Sequence, residues 1–281
     1  MKRIFSIVLI LSLVLLLPTF YGCSKEKEEY DLSGLILERI SHWENDKQIF
    51  HDEYYILDYQ GDSENLILPS SAPNGMPILH IGTWAFADCH TLKTVTIPQG
   101  IQTIEKRAFY GCENLEKVII GKDINTISDI EVFSLCNKLS VFEVDKDNAY
   151  YYSEGNCLID RRINSVIYGC KDSVIPEGIE SIRDFAFCEI ETLKTINIPK
   201  SIRSIGCNAF FGNKSLSEIY LHKDIQNIED AAFSHCPETI IYCEVSQKPD
   251  GWDNMWVDRE GDKFSPAKVY WGIKLGHGSI T

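Results

Sequence analysis

Basic residues are scarce in this chain, 27 Lys and Arg against 41 Asp and Glu, which gives a formal net charge of -14. An acidic field of that size disfavours nucleic acid as a partner, because neutralising phosphates takes clustered bases. Missing too are the Gly-x-x-x-x-Gly-Lys and Gly-x-Gly-x-x-Gly loops that cradle phosphates, the His-Glu-x-x-His zinc helix and the Gly-x-Ser-x-Gly nucleophile turn. No Cys-x-x-Cys pair occurs, which removes the common zinc and thioredoxin-like arrangements. Ten cysteines in 281 residues are too dilute for a small disulfide scaffold. Asp145-Lys146-Asp147 opens like a calcium loop, but Ala149 and Tyr150 stand where a further ligand and the turn glycine belong. The sequence therefore leads us to expect no cofactor, no metal-ligand set and no catalytic constellation. At 44% hydrophobic and 24% charged, with 18 Gly and 10 Pro, the composition is that of an ordinary globular chain.

The one long apolar run lies at the start. Lys2 and Arg3 precede a stretch from Ile4 to Leu17 interrupted only by Ser6 and Ser12, and Pro18 ends it. It is too short for a spanning helix, which takes about 20 apolar residues, and reads as an export signal over residues 1–22. Phe20-Tyr21-Gly22-Cys23 resembles the lipobox of bacterial lipoproteins in its small residue and its cysteine, and departs from it at Phe20 and Tyr21. The resemblance implies lipidation at Cys23; an ordinary cleaved signal and an uncleaved anchor are the alternatives. Ser24 to Glu29 is too polar to pack, so residues 23–35 read as a tether between the lipid and the folded part. An acidic stretch in that place resembles the surface-export signal of lipoproteins from the Bacteroidetes.

Self-similarity dominates the rest. From Ile78, Ile101, Ile124, Ile179, Ile202 and Ile225 one template recurs: Ile, Ile three on, then a small residue and Phe, and later Leu-x-x-Val-x-Ile. Thus Ile101-Ile104-Ala108-Phe109-Cys112-Leu115-Val118-Ile120 repeats Ile78-Ile81-Ala85-Phe86-Cys89-Leu92-Val95-Ile97 with a 23-residue period. The third unit carries one extra residue before Phe133, and the sixth loses register over its last strand. One such turn cannot bury its own apolar side, whereas stacked turns share a continuous core. The alternation predicts strands with Val95 and Ile97 inward and Thr94 and Thr96 outward, stacked as a parallel sheet. Cys89, Cys112, Cys136 and Cys236 fall at one equivalent position and read as small buried thiols rather than disulfides.

Ile-x-x-Ile-x-x-x-Ala-Phe-x-x-Cys-x-x-Leu-x-x-Val-x-Ile-Pro resembles the BspA-like class of leucine-rich repeats, over about residues 53 to 244. The resemblance implies a solenoid and, from the family's usual setting, an exported bacterial surface protein that binds other proteins or takes part in adhesion; it carries over no catalytic residues.

On this reading residues 36–77 are an N-terminal cap or degenerate repeat, 78–244 the repeats and 245–281 a C-terminal cap and tail. Thirty-two extra residues separate the third and fourth units. Within them Cys157-Leu158-Ile159 and Val166-Ile167-Tyr168 flank a polar turn, which predicts a β-hairpin in an insertion at about 145–172. Phe142, Val144, Asp145, Asn148, Tyr151 and Ser153 fit an insert the family often has, so padding is favoured over a ligand loop built on Tyr150, Tyr151 and Tyr152. Trp252, Trp256 and Trp271 read as capping residues, with an aromatic sugar platform as the alternative.

Ligand contact is expected on the concave strand face, at Thr94, Thr96, Lys117, Ile119, Glu143, Thr195, Asn197, Glu218, Tyr220 and His222. This mixed row, with Tyr220 its single aromatic, suits a protein ligand or a host surface component. Glycan is possible, nucleic acid is not expected, and the membrane is reached through the lipid. Together these features predict a non-catalytic binding protein lipid-anchored at the outer membrane, on the cell surface; the alternative is the binding subunit of an envelope glycan or nutrient uptake system.

Overall fold

The computed structural model describes residues 25–32, 34–44, 49–257 and 267–274. The chain is a β-solenoid without helix among those residues. The export signal and Cys23 lie outside them. An antiparallel meander opens the fold: β1 (Lys25–Leu32), β2 (Leu35–Glu44) and β3 (Ile49–Tyr59). The polar run read as a tether is thus a strand, paired antiparallel to β2 in the register Lys25 to Ile40. Side-chain polarity alone favours a free segment, but what a strand needs is a neighbour for its backbone, and β2 supplies one.

Each turn then contributes one longer strand and one short one. The longer strands β4 (Asn65–Ile67), β6 (Thr94–Ile97), β8 (Lys117–Ile120) and β10 (Val141–Val144) form a parallel sheet in register. In β6 and β8 half-buried and buried residues alternate, placing Val95, Ile97, Val118 and Ile120 in the core. The short strands β5 (Ile78–Ile81), β7 (Thr103–Ile104) and β9 (Thr126–Ile127) extend the meander through β3.

Between the short strand and the next longer one the backbone turns twice through the left-handed region. The first such residue precedes the small-residue-Phe pair: Trp84, Arg107, Glu131, Phe185, Asn208 and Ala231. The second follows four residues on: Asp88, Gly111, Leu135, Glu189, Gly212 and His235. Bulky residues accept this region only where surrounding packing imposes it. The packing here is a column of rings, with Phe86, Phe109 and Phe133 stacked at 5.0 and 5.5 Å, and Phe187, Phe210 and Phe233 at 5.1 Å each.

The insertion breaks the column. It forms β11 (Tyr151–Glu154), β12 (Cys157–Asp160) and β13 (Ser165–Tyr168), one strand more than the expected hairpin. Gly155 and Asn156, both at positive φ, make the tight turn joining the first two. β13 then starts a second stack of short strands, β14 (Ser181–Ile182), β15 (Ser204–Ile205) and β17 (Asn227–Ile228). Gly169 lies where the next ring would come; a Cβ there would sit 1.9 Å from the Phe187 ring.

The hairpin is fastened by side chains. Asn148 is buried, donates to the Gly121 and Ile124 carbonyls at 2.9 and 3.0 Å and accepts the Tyr150 and Tyr151 amides. The Tyr168 hydroxyl donates to Ser128 O at 2.6 Å and accepts the Val132 amide. Tyr151 accepts the Ile127 amide and donates to Asn125 O. These bonds take over where the backbone ladder from β9 stops.

On the far side the longer strands resume as β16 (Glu218–Leu221), β18 (Ile240–Cys243) and β19 (Lys268–Trp271). The fourth unit keeps a single bridge, Thr195 to Glu218, in place of its expected strand. The sixth unit regains register, Glu218 facing Ile240, with one residue fewer than the usual period. Trp252 and Trp256 are 1% and 4% exposed and seal the end of the core; Trp256 packs edge-on against Phe233.

Candidate functional site

The outward positions of the longer strands fall into two patches, because the insertion separates β10 from the fourth unit. The first holds Thr94, Thr96, Lys117 and Ile119, all half-buried, with exposed Glu143. Register places Thr94 beside Lys117 and Ile119 beside Glu143. Lys117 pairs with Glu143, so their charges are spent on each other across adjacent strands. Ile67, 73% exposed, extends this patch at its β4 edge, next to Thr96.

The second patch carries Thr195 and Asn197, both exposed, with half-buried Glu218 and Tyr220. Tyr220 is not alone. Register sets Tyr242 and Tyr270 beside it on β18 and β19, and the three rings stack at 4.8 and 5.8 Å with interplanar angles of 19° and 23°. Parallel strands about 4.8 Å apart put equivalent side chains at ring-stacking distance, so three tyrosines in one column form a ladder. The rings turn their faces to one another and present edges and hydroxyls outward. The Tyr220 hydroxyl lies 3.4 Å from Glu218 Oε2, and desolvation, then the Glu218 charge, raise its pKa. The ladder escaped the sequence template because the sixth unit is one residue short and the last strand follows a long connection; the spaced tyrosines at 220 and 242 were its one signal.

His222 does not belong to the face. It is 2% exposed, and its Nε2 bonds the Pro199 carbonyl at 2.9 Å. Alternation in and out ends with the strand at Leu221; the next position, occupied by Pro199 one turn earlier, packs against its equivalent in the neighbouring turn. Burial lowers the His222 pKa, the Pro199 bond opposing it.

The other candidates are structural. Tyr151 is 2% exposed and holds the insertion, while Trp252 donates its indole N–H to Ile225 O at 3.2 Å within the cap. The repeat-position thiols are free; Cys89, on the outermost turn, is half-buried rather than buried, while buried Cys112, Cys136 and Cys236 reach the carbonyls of Phe86, Phe109 and Phe210 at 3.0 to 3.1 Å.

A family model described as the BspA type leucine-rich repeat region, in six copies, matches residues 59–170 and 164–246. The chain belongs to the BspA-type leucine-rich repeat family. The matched residues include the paired isoleucines, the small-residue-Phe step and the Leu-x-x-Val-x-Ile strand, whose Ile101, Ile104, Phe109, Leu115 and Val118 are fully buried. No curated protein matches it by sequence. Similar solved structures include a leucine-rich repeat protein of T. pallidum, 21% identical over 76% of this chain and 81% of that one, with a TM-score of 0.43. A leucine-rich repeat protein from Eubacterium ventriosum is 18% identical over 78% of this chain and 73% of its own, with a TM-score of 0.46. The pneumococcal vaccine antigen PcpA is 13% identical over 78% and 81%, with a TM-score of 0.31.

Proposed function

We propose that this chain is a non-catalytic surface protein, exported and lipid-anchored through Cys23 at the outer membrane, that binds a protein ligand on the second strand patch. The observation that carries the reading is the ladder of Tyr220, Tyr242 and Tyr270. Tyrosines anchor protein interfaces because each supplies a rigid apolar body and a hydroxyl at small entropic cost. Sugar recognition by aromatics uses the ring face, and here the inner faces are taken by stacking. Glu218, Asn197 and Thr195 surround the ladder as polar neighbours, and the net charge of -14 disfavours a nucleic-acid partner.

The test screens the full chain, purified in detergent, against a panel of extracellular-matrix and bacterial surface proteins beside a glycan array. We expect capture of a protein, with Tyr220→Ala and Tyr242→Ala each weakening it by roughly 2 kcal/mol, about thirtyfold, and Lys117→Ala leaving it unchanged. Glycan capture without protein capture favours the uptake-system alternative and overturns this reading. In the cell, Cys23→Ala should release the protein from the membrane fraction; unchanged retention would mean an uncleaved anchor.

A further inference from the structure

At the seam where the insertion separates the third and fourth turns, three ligand-type side chains converge. The Cys188 sulfur and a carboxylate oxygen from each of Glu131 and Glu189 lie within 4.8 Å of one another. Glu131 stands at the first left-handed position of the third turn, and Cys188 and Glu189 follow Phe187 in the fourth. The stacking of turn on turn thus makes the cluster, and no motif in the sequence announces it.

Two further atoms mark the same spot. Glu189 Oε2 is shut off from water with no hydrogen-bond partner, and so is the hydroxyl of Ser134, a residue 2% exposed. Ser134 lies against the Cys188 thiol, where it opposes the upward push that burial gives that group. A buried polar atom without a partner is costly, and a structure that tolerates two at one spot calls for a group between them. The two glutamates also repel each other at this separation, which the Arg107 pair with Glu131 relieves in part.

We infer that the seam is a binding site for one divalent transition-metal ion of the zinc class, held by Cys188, Glu131 and Glu189. A thiolate among the donors selects a zinc-class ion over calcium or magnesium, which favour oxygen alone. Arg107 pairs with Glu131, and both of its contacts go to Oε2, leaving Oε1 for the ion. Burial, then the Glu131 charge, raises the Glu189 pKa, and nearby Tyr110 opposes the rise. Three protein donors leave the fourth position of a tetrahedral shell to water. Binding displaces the Cys188 thiol proton to solvent and forms one metal–sulfur and two metal–oxygen bonds, with no redox step. The ion would tie the third turn to the fourth where the backbone ladder is interrupted, and so add stability by linkage.

Cobalt(II) is the probe, because a thiolate ligand gives it a near-ultraviolet charge-transfer band that oxygen ligands do not. The full chain in detergent, stripped with chelator and kept reduced, is titrated with cobalt chloride and then with zinc chloride. The expected result is a band saturating at one equivalent and removed by zinc, with zinc but not magnesium raising the thermal midpoint. Cys188→Ser should abolish the band, while Cys89→Ser and Cys207→Ser, which alter half-exposed thiols outside the cluster, should keep it. Glu189→Gln and Glu131→Gln should each weaken cobalt binding at least about tenfold. Absence of the band in the unaltered protein, or its survival in Cys188→Ser, overturns the site. If Cys188→Ser fails to fold, unchanged affinity in both glutamine variants does so.

Discussion

The Cys112 thiol donates to the carbonyl of Phe86, 26 residues earlier, at 3.0 Å. In the fifth turn Asn213 occupies the same position and reaches back in the same way, its Nδ2 2.8 Å from both Phe187 O and Phe210 O. The repeat thus uses cysteine as a compact buried donor whose place an amide can take. The Phe carbonyls lie between the two left-handed residues of each turn, and the donor from the next turn adds to, or at Phe187 replaces, the long bond from the amide three residues on.

Removing that donor should be costly in proportion to the carbonyls it leaves unpaired. Asn213→Ala leaves the Phe187 carbonyl unpaired, while Phe210 O keeps the Cys236 thiol, and is expected to lower the unfolding free energy by about 1–3 kcal/mol; Cys112→Ala leaves Phe86 O with the Cys89 amide and should cost less, about 1 kcal/mol. Urea denaturation of the two variants gives the order, and a smaller loss for Asn213→Ala would refute the donor role.

Because these thiols are free, reductant should leave the thermal midpoint of the unaltered protein unchanged. A fall of more than a few degrees would reveal a cross-link in the cysteine column.

Phe109 is fully buried between Phe86 and Phe133, and Phe109→Ala is expected to cost about 3–5 kcal/mol. The Lys117 pair with Glu143 is a surface contact, so Lys117→Ala should stay within about 0.5 kcal/mol of the parent. Comparable losses from both would mean that inward and outward positions have been exchanged.

Tyr168→Phe removes one hydroxyl that serves Ser128 O and the Val132 amide inside the seam. A loss of about 1–3 kcal/mol is expected without change in overall fold, checked by denaturation together with circular dichroism. A neutral variant would show that the insertion is not held by this bond.

Burial lowers the His222 pKa, so below about 6.5 the unfolded chain binds a proton that the folded chain resists. Unfolding free energy should therefore fall as pH drops from about 6.5 toward the folded value, and His222→Gln should flatten that slope. Asp52, whose pKa is lowered by hydrogen bonds from Ser41 and Arg39, contributes a separate loss only near and below about pH 4. An identical slope between pH 7 and 5.5, roughly, in parent and variant would exclude His222 as its source.

Much of the architecture is legible in the residues. The isoleucine pair, the small-residue-Phe step and the alternation in Leu-x-x-Val-x-Ile each name a buried position, and Ile101, Ile104, Phe109 and Val118 are fully buried. The strand-face residues Thr94, Thr96, Lys117, Ile119, Glu143, Thr195, Asn197, Glu218 and Tyr220 do reach solvent. His222 fails because it lies one step past the strand, where packing between turns replaces alternation. The strand β1 fails for another reason: its residues have no apolar pattern, and its neighbour β2 alone gives it a place.

What the sequence determined by itself is the solenoid and its core, since a 23-residue period of apolar residues has no other way to leave water than stacking turn on turn. It also marked the insertion, as a break in that period. Only the tertiary structure decided which side chains from different turns meet. Tyr220, Tyr242 and Tyr270 become one ladder because strand register, rather than the period, aligns them. Glu131 and Cys188 become neighbours because the intervening insertion leaves the adjoining turns in contact. Distances along the chain are set by the repeat, but contacts across the seam depend on how the inserted strands pack, and that is a property of the folded whole.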